Sequence, residues 1–167
     1  MHFRTFVHLQ VAAAIVTIAL AFAASLGAAP ASLPASRAEV LLGQAKWLGL
    51  PLAIAVFLVM LQRARSADLI LGFLGKPHLS GLPAAFLQNT VEQTLLAILG
   101  LAAFISACPS NAVAAVDAFS LLFLIGRALF FFAYSANPMW RFYGFSLSFY
   151  PSCLFLVLGW WFALRGA

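Results

Sequence analysis

The sequence predicts an all-α protein embedded in a membrane, and three observations carry that prediction. Hydrophobic residues fill 65% of the 167 positions and charged residues only 8%, with a mean hydropathy of +1.05. A water-facing domain carries about 25% charged residues, so this chain lacks the charge to coat a soluble surface. The apolar residues fall into five stretches, each of the roughly 20 residues that a helix needs to cross a hydrocarbon core. None of the five shows the period-two alternation of a barrel strand.

In chain order, the first stretch runs from about Val7 to Ala29. His2, Arg4 and His8 precede or open it, and the small residues Ala28-Ala29-Pro30-Ala31 close it, as in a secretory signal peptide. Its apolar run, Val11 to Ala29, exceeds the roughly 7–15 residues of a signal core, so a retained helix is expected. Pro30 and Pro34 break the chain after it. The second stretch spans about Val40 to Leu61, and the polar run from Gln62 to Gly81 follows, with Arg63, Arg65, Asp68, Lys76 and His78. The third spans Leu82 to Ala107, and Pro109-Ser110-Asn111 links it tightly to the fourth, about Ala112 to Tyr134. Ser135-Ala136-Asn137-Pro138 ends the fourth, and the fifth covers about Phe142 to Leu164.

The net charge of +5 comes from nine Lys and Arg placed near stretch ends, a pattern for lipid headgroups and not for nucleic acid. With the N-terminus inside, Arg4, Arg63, Arg65, Lys76 and Arg141 fall on the inner side, against Arg37, Lys46 and Arg165 outside. An integral membrane protein of a bacterial inner membrane, or of another membrane facing a cytoplasm, is the expectation. The two cysteines, Cys108 and Cys153, match no metal or redox spacing and read as small buried residues. No metal-ligand cluster, phosphate-cradling glycine loop or Ser-His-Asp arrangement is present.

The third stretch carries an oddity. Gln88-Asn89-Thr90-Val91-Glu92-Gln93 interrupts it, and an ionisable group at bilayer depth costs about 2.5–3.5 kcal/mol. Asn89 and Glu92 are three apart and Gln88 and Glu92 four apart, so a shared helical face turned into the protein is expected. The fourth stretch supplies a partner. Arg127 and Tyr134, seven apart, share a face there; Arg127 either snorkels to the inner surface or pairs with Glu92. Arg141, opening the fifth stretch, reads as an inner-surface anchor or as a cation aimed at a pocket below Arg127.

Together these two patterns resemble the MAPEG family, membrane-associated proteins in eicosanoid and glutathione metabolism. Asn89-x-x-Glu92 is similar to that family's Asn-x-x-Glu signature on its second helix. Arg127, seven residues before Tyr134 and fourteen before Arg141, resembles its Arg…Tyr…Arg pattern. The resemblance implies a four-helix membrane domain over 35–167, preceded by an additional N-terminal transmembrane helix over 1–34. It also implies a homotrimer that binds glutathione between subunits, with Asn89, Glu92, Arg127 and Tyr134 lining the substrate site and Arg141 as the catalytic cation beside the thiolate. A hydrophobic small molecule would enter from the membrane lipids. Three positions depart from the pattern. Ala85, Phe130 and Ala136 stand where leukotriene-type or other family enzymes carry Arg, Tyr and Arg.

Three functions follow as alternatives. One is a glutathione-dependent transferase or peroxidase acting on a hydrophobic substrate. Another is a non-catalytic lipid-binding or scaffold protein of the same fold, which the three departures favour. The last is a small transporter or accessory subunit using a Glu92–Arg127 pair as a gate.

Overall fold

The computed structural model describes residues 3–27, 36–65, 82–109, 112–136 and 138–166. They form five helices: α1 (Phe3–Gly27), α2 (Arg37–Ala64), α3 (Leu82–Ala107), α4 (Ala114–Ala136) and α5 (Arg141–Arg165). A 3-10 turn, Pro138–Trp140, joins α4 to α5. No strand occurs among the described residues. All five helices are long and apolar enough to cross a membrane, which makes this an all-α integral membrane protein. The observed ends agree with the expected stretches to within about one turn. The prolines after α1, and most of the polar run including Lys76 and His78, lie outside the described residues.

Local chemistry explains several ends. α2 starts before its apolar run because Ser36 and Glu39 form a reciprocal capping box. The Ser36 hydroxyl accepts from the Glu39 amide at 3.3 Å, and the Glu39 carboxylate accepts from the Ser36 amide at 2.7 Å. α5 lacks a capping side chain of its own at Trp140. Gln10 of α1 replaces it: its amide oxygen accepts from the Tyr143 backbone N–H at 3.1 Å, and its amide nitrogen donates to the Met139 carbonyl at 2.9 Å. The far end of α3 is closed by Arg37, whose guanidinium donates to the carbonyls of Ile105, Ser106 and Cys108. A cation is favourable at a helix C-terminus, where orphan carbonyls gather. Pro51 and Pro151 sit inside α2 and α5 without ending them. Each costs one helical hydrogen bond that neighbouring helices must compensate.

α5 is the central helix. It packs against α3, α4 and α1, while α2 closes the other side against α3 and α4. Four rings meet at the centre, one each from α1, α3, α4 and α5. Phe155 stacks on Phe104 at 4.2 Å, Phe119 at 4.6 Å and Phe22 at 5.5 Å between ring centroids. Small residues let the backbones approach. A Cβ on Gly159 would stand 2.5 Å from the Ala103 carbonyl carbon, and one on Gly144 would stand 2.5 Å from the Phe130 amide nitrogen. Close backbone contact at small residues is how helices associate where lipid is as apolar as leucine.

α1 belongs to the same bundle. Its Ala14 and Ile18 are buried in a cluster with Leu122 and Leu147, and the Thr17 and Tyr143 hydroxyls lie 2.9 Å apart. The outer faces carry exposed Leu, Ile, Val and Phe, as a lipid-facing surface does. Trp47, Trp160 and Trp161 are exposed toward one end and Trp140 toward the other, matching interfacial aromatic belts.

Cys108 is buried just beyond α3. Burial pushes its thiol above the ordinary value, more than the nearby Arg37 guanidinium lowers it. A raised thiol pKa means less thiolate at neutral pH. In a Cys153→Ala background, maleimide labelling of Cys108 at pH 7.5 should therefore lag well behind labelling of the denatured chain. Equal rates would contradict the buried placement.

Candidate functional site

The polar residues of α3 do not share one face. They divide. Asn89 and Gln93 turn inward, and Gln93, Thr90 and Thr94 are buried. Gln88 and Glu92 turn outward and are exposed on this single chain, with the Gln88 amide donating to the Glu92 carboxylate at 3.3 Å. The expectation that the whole polar face points into the protein is corrected here for Glu92. The reason is angular. Asn89 and Glu92 sit about 60° apart around the helix at 3.6 residues per turn, so the bundle can take one and leave the other outside.

Arg127 is the centre of the inward set. It is 1% exposed, the largest fully buried side chain of the described residues. Its partner is not Glu92. One Nη donates to Asn89 Oδ1 at 2.6 Å, and the other donates to Ser148 Oγ at 2.8 Å. The Ser148 hydroxyl can donate in turn to Gln93 Oε1 at 3.4 Å or to the Phe145 carbonyl at 3.0 Å. The Phe130 ring lies 4.8 Å from the guanidinium carbon, in cation–π range. Arg127 Nε has no partner among the described residues.

The backbone explains why Arg127 reaches so deep. Its neighbour Gly126 lies where a Cβ would be 2.8 Å from the Gly144 carbonyl oxygen and 3.1 Å from the Ser148 amide. α4 therefore rides directly on α5, and the next side chain enters the seam between α5 and α3. Ser148 belongs to the small-residue line Gly144, Ser148, Ser152, with the Ser152 hydroxyl donating to the Ser148 carbonyl at 2.6 Å. Ser148 is the site residue that sequence reasoning missed. Its one signal was the four-residue spacing of small side chains along the fifth apolar stretch.

The remaining expected residues lie nearer one membrane end. Tyr134 falls in the last turn of α4, with its side chain outside the described residues. Arg141 opens α5, half-buried, with its guanidinium carbon 5.5 Å from the Phe142 ring. At 1.5 Å per residue it stands about 10 Å along α5 from Ser148, outside the Arg127 hydrogen-bond set. Ala85 is half-buried, and Phe130 is buried against Phe86 and Ala55.

The assembled site is a buried cation held by neutral dipoles. Asn89, Ser148 and Gln93 carry no net charge, so among the described residues Arg127 is an uncompensated positive centre in a low-dielectric layer. Chemically, such a centre favours negative charge in its surroundings. Compared with known proteins, the chain matches no family model, no curated protein and no solved structure.

Proposed function

We propose that the chain is a MAPEG-like membrane protein that assembles as a homotrimer and binds glutathione between its subunits. In this reading it joins glutathione, through its sulfur, to a hydrophobic electrophile arriving from the bilayer, or reduces a hydrophobic peroxide to the alcohol and water while two glutathiones become the disulfide. The supporting observation is Arg127, a buried guanidinium with no carboxylate partner among the described residues. Glutathione is anionic and would supply the missing charge. The outward Gln88–Glu92 pair gives the reading a second support, because a carboxylate facing lipid is costly and one facing a neighbouring copy is not. Arg141, at the membrane end of the same helix pair, would lower the thiol pKa from about 8.5 and raise the thiolate fraction. In conjugation the sulfur forms a bond to the electrophilic carbon, the leaving group departs with its electron pair, and the thiol proton passes to water.

One specific observation favours the non-catalytic alternative, lipid binding or scaffolding on the same fold. Two terminal nitrogens of Arg127 are already engaged by Asn89 and Ser148, and Phe130 lies over the guanidinium. The gate reading is not taken further, because its Glu92–Arg127 contact is not formed within the chain.

Calorimetry of the purified protein with glutathione separates the first two. Saturable binding with turnover of a chlorodinitrobenzene-type electrophile is expected for the enzyme. Arg141→Ala should then reduce turnover while leaving assembly, read by native mass spectrometry, unchanged. Absent glutathione binding, with an apolar ligand retained between copies, would favour the scaffold.

A further inference from the structure

A second polar site lies at the opposite end of the bundle, between α2 and α4. Asp117 stands in the first turn of α4, and Gln44 of α2 donates its amide nitrogen to Asp117 Oδ1 at 2.8 Å. A carboxylate can only accept, so this bond fixes which end of the Gln44 amide is which. Gln44 Oε1 is left pointing elsewhere, buried and without a partner among the described residues. Ser120 Oγ is likewise buried and unpartnered, in a residue only 2% exposed. Gln44, Asp117 and Ser120 line a hollow of about 230 Å³, whose other walls are Trp47, Leu121 and Leu124. An adjoining hollow of about 260 Å³ shares Gln44, Trp47 and Asp117 and adds Lys46.

The free valences are nearly all of one kind. Gln44 Oε1 and the second Asp117 oxygen accept only, and Ser120 Oγ accepts or donates. Gln44 Oε1 and Ser120 Oγ are buried without partners among the described residues, which is costly, and the exposed Asp117 carboxylate adds negative charge at the rim, so the complementary ligand is rich in N–H and carries positive charge. Lys46 is the exception, with its ammonium 5.4 Å from the Trp47 ring centre beside the same opening. It supplies a cation a short way from the acceptor group. α2 is 28 residues, about 42 Å at 1.5 Å per residue, and overruns a hydrocarbon core of about 30 Å. Gln44 also meets Asp117 in the first turn of α4, so the hollow lies level with the end of that helix, close enough for the long Lys46 side chain to snorkel to the headgroup layer.

We propose that this α2–α4 hollow binds a primary ammonium that carries a nearby phosphate, as in the headgroup of an ethanolamine phospholipid. Gln44 Oε1, Asp117 and Ser120 accept its N–H groups, Lys46 pairs with the phosphate, and Leu121 and Leu124 hold the first apolar carbons. The site is independent of the Arg127 cluster and of the glutathione reading.

The test is competitive lipid retention by the purified full chain, read by native mass spectrometry. Phosphatidylethanolamine and phosphatidylcholine are offered in equal amounts, since choline keeps the charge and has no N–H to give. About tenfold enrichment of the ethanolamine lipid is expected, the scale of one charge-assisted hydrogen bond. Asp117→Asn should bring the two lipids near parity with an unchanged thermal midpoint in lipid-free detergent. Ser120→Ala provides a milder variant, with a smaller loss of preference, should Asp117→Asn fail to fold. Soluble phosphoethanolamine distinguishes the source. A thermal shift with it alone assigns the site to a soluble amine, and a shift with the lipid alone assigns it to the bilayer; both support an ammonium site. Equal retention of the two lipids by the unmodified chain, with no response to phosphoethanolamine, overturns the proposal.

Discussion

Replacing Asn89 by leucine is expected to destabilise the protein more than replacing Arg127 by methionine. The asymmetry follows from what each change leaves behind. Asn89→Leu removes the 2.6 Å acceptor and strands a buried guanidinium whose Nε already has no partner among the described residues. Leaving a buried charged donor short of a hydrogen bond costs more than the roughly 1–3 kcal/mol of a neutral one, on the order of 3 kcal/mol. Arg127→Met removes the charge itself and leaves only the neutral Asn89 and Ser148 oxygens each short of one bond, about 1–3 kcal/mol in all. Neutral hydrogen bonds between membrane helices average only about 0.6 kcal/mol, so a gap between the two variants isolates the charge. The double variant Asn89→Leu/Arg127→Met should recover part of the loss, because neither the stranded guanidinium nor the Asn89 oxygen remains. Unfolding midpoints in detergent measure all three. If Arg127→Met were the worse single variant, the guanidinium would have to carry a load beyond its bonds to Asn89 and Ser148.

Gly144→Ala is the second large effect. Its new methyl would sit 2.5 Å from the Phe130 amide nitrogen and 2.8 Å from the Gly126 carbonyl oxygen. Both are backbone atoms, so no side chain can turn aside, and α4 must lift from α5. Overpacking of this kind costs about 1–3 kcal/mol. The lift also lengthens the Arg127–Ser148 bond, which depends on the same seam. Gly49 gives the control, since a Cβ there meets nothing within 4 Å. Gly49→Ala should be neutral or stabilising by up to about 1 kcal/mol, the ordinary helix preference for alanine. Equal losses at both positions would remove the argument for close backbone contact.

The helices were legible because apolar length is a strong signal and lipid permits few other structures. The α2 start at Arg37 was less so, since Ser36 and Glu39 lie outside the apolar run and act through capping alone. Arg127 and Asn89 were legible as rare polar residues in apolar stretches, and the structure brings them together. The direction of Glu92 was not legible. Residues three and four apart fall on neighbouring arcs of a helix, and only the positions of the other helices decide where the cut falls. Ser148 was hidden for a different reason: a serine among small residues looks like packing until an arginine arrives from another helix. Gln44 and Asp117 meet across 73 positions of sequence, a separation at which no local pattern speaks.

Gln10 has a consequence for the order in which the protein is made. Its two bonds reach Met139 and Tyr143, 129 and 133 positions downstream. Synthesis runs from the N-terminus, so the first helix enters the bilayer long before the ribosome has produced the last. During that interval the Gln10 amide is without its eventual acceptor and donor, and α1 has no fixed seat. Arrival of α5 ends the wait on both sides at once, because Gln10 closes the N-terminus of α5 as it settles. Full seating of α1 thereby depends on α5, and a chain truncated before Met139 would lack both partners of Gln10.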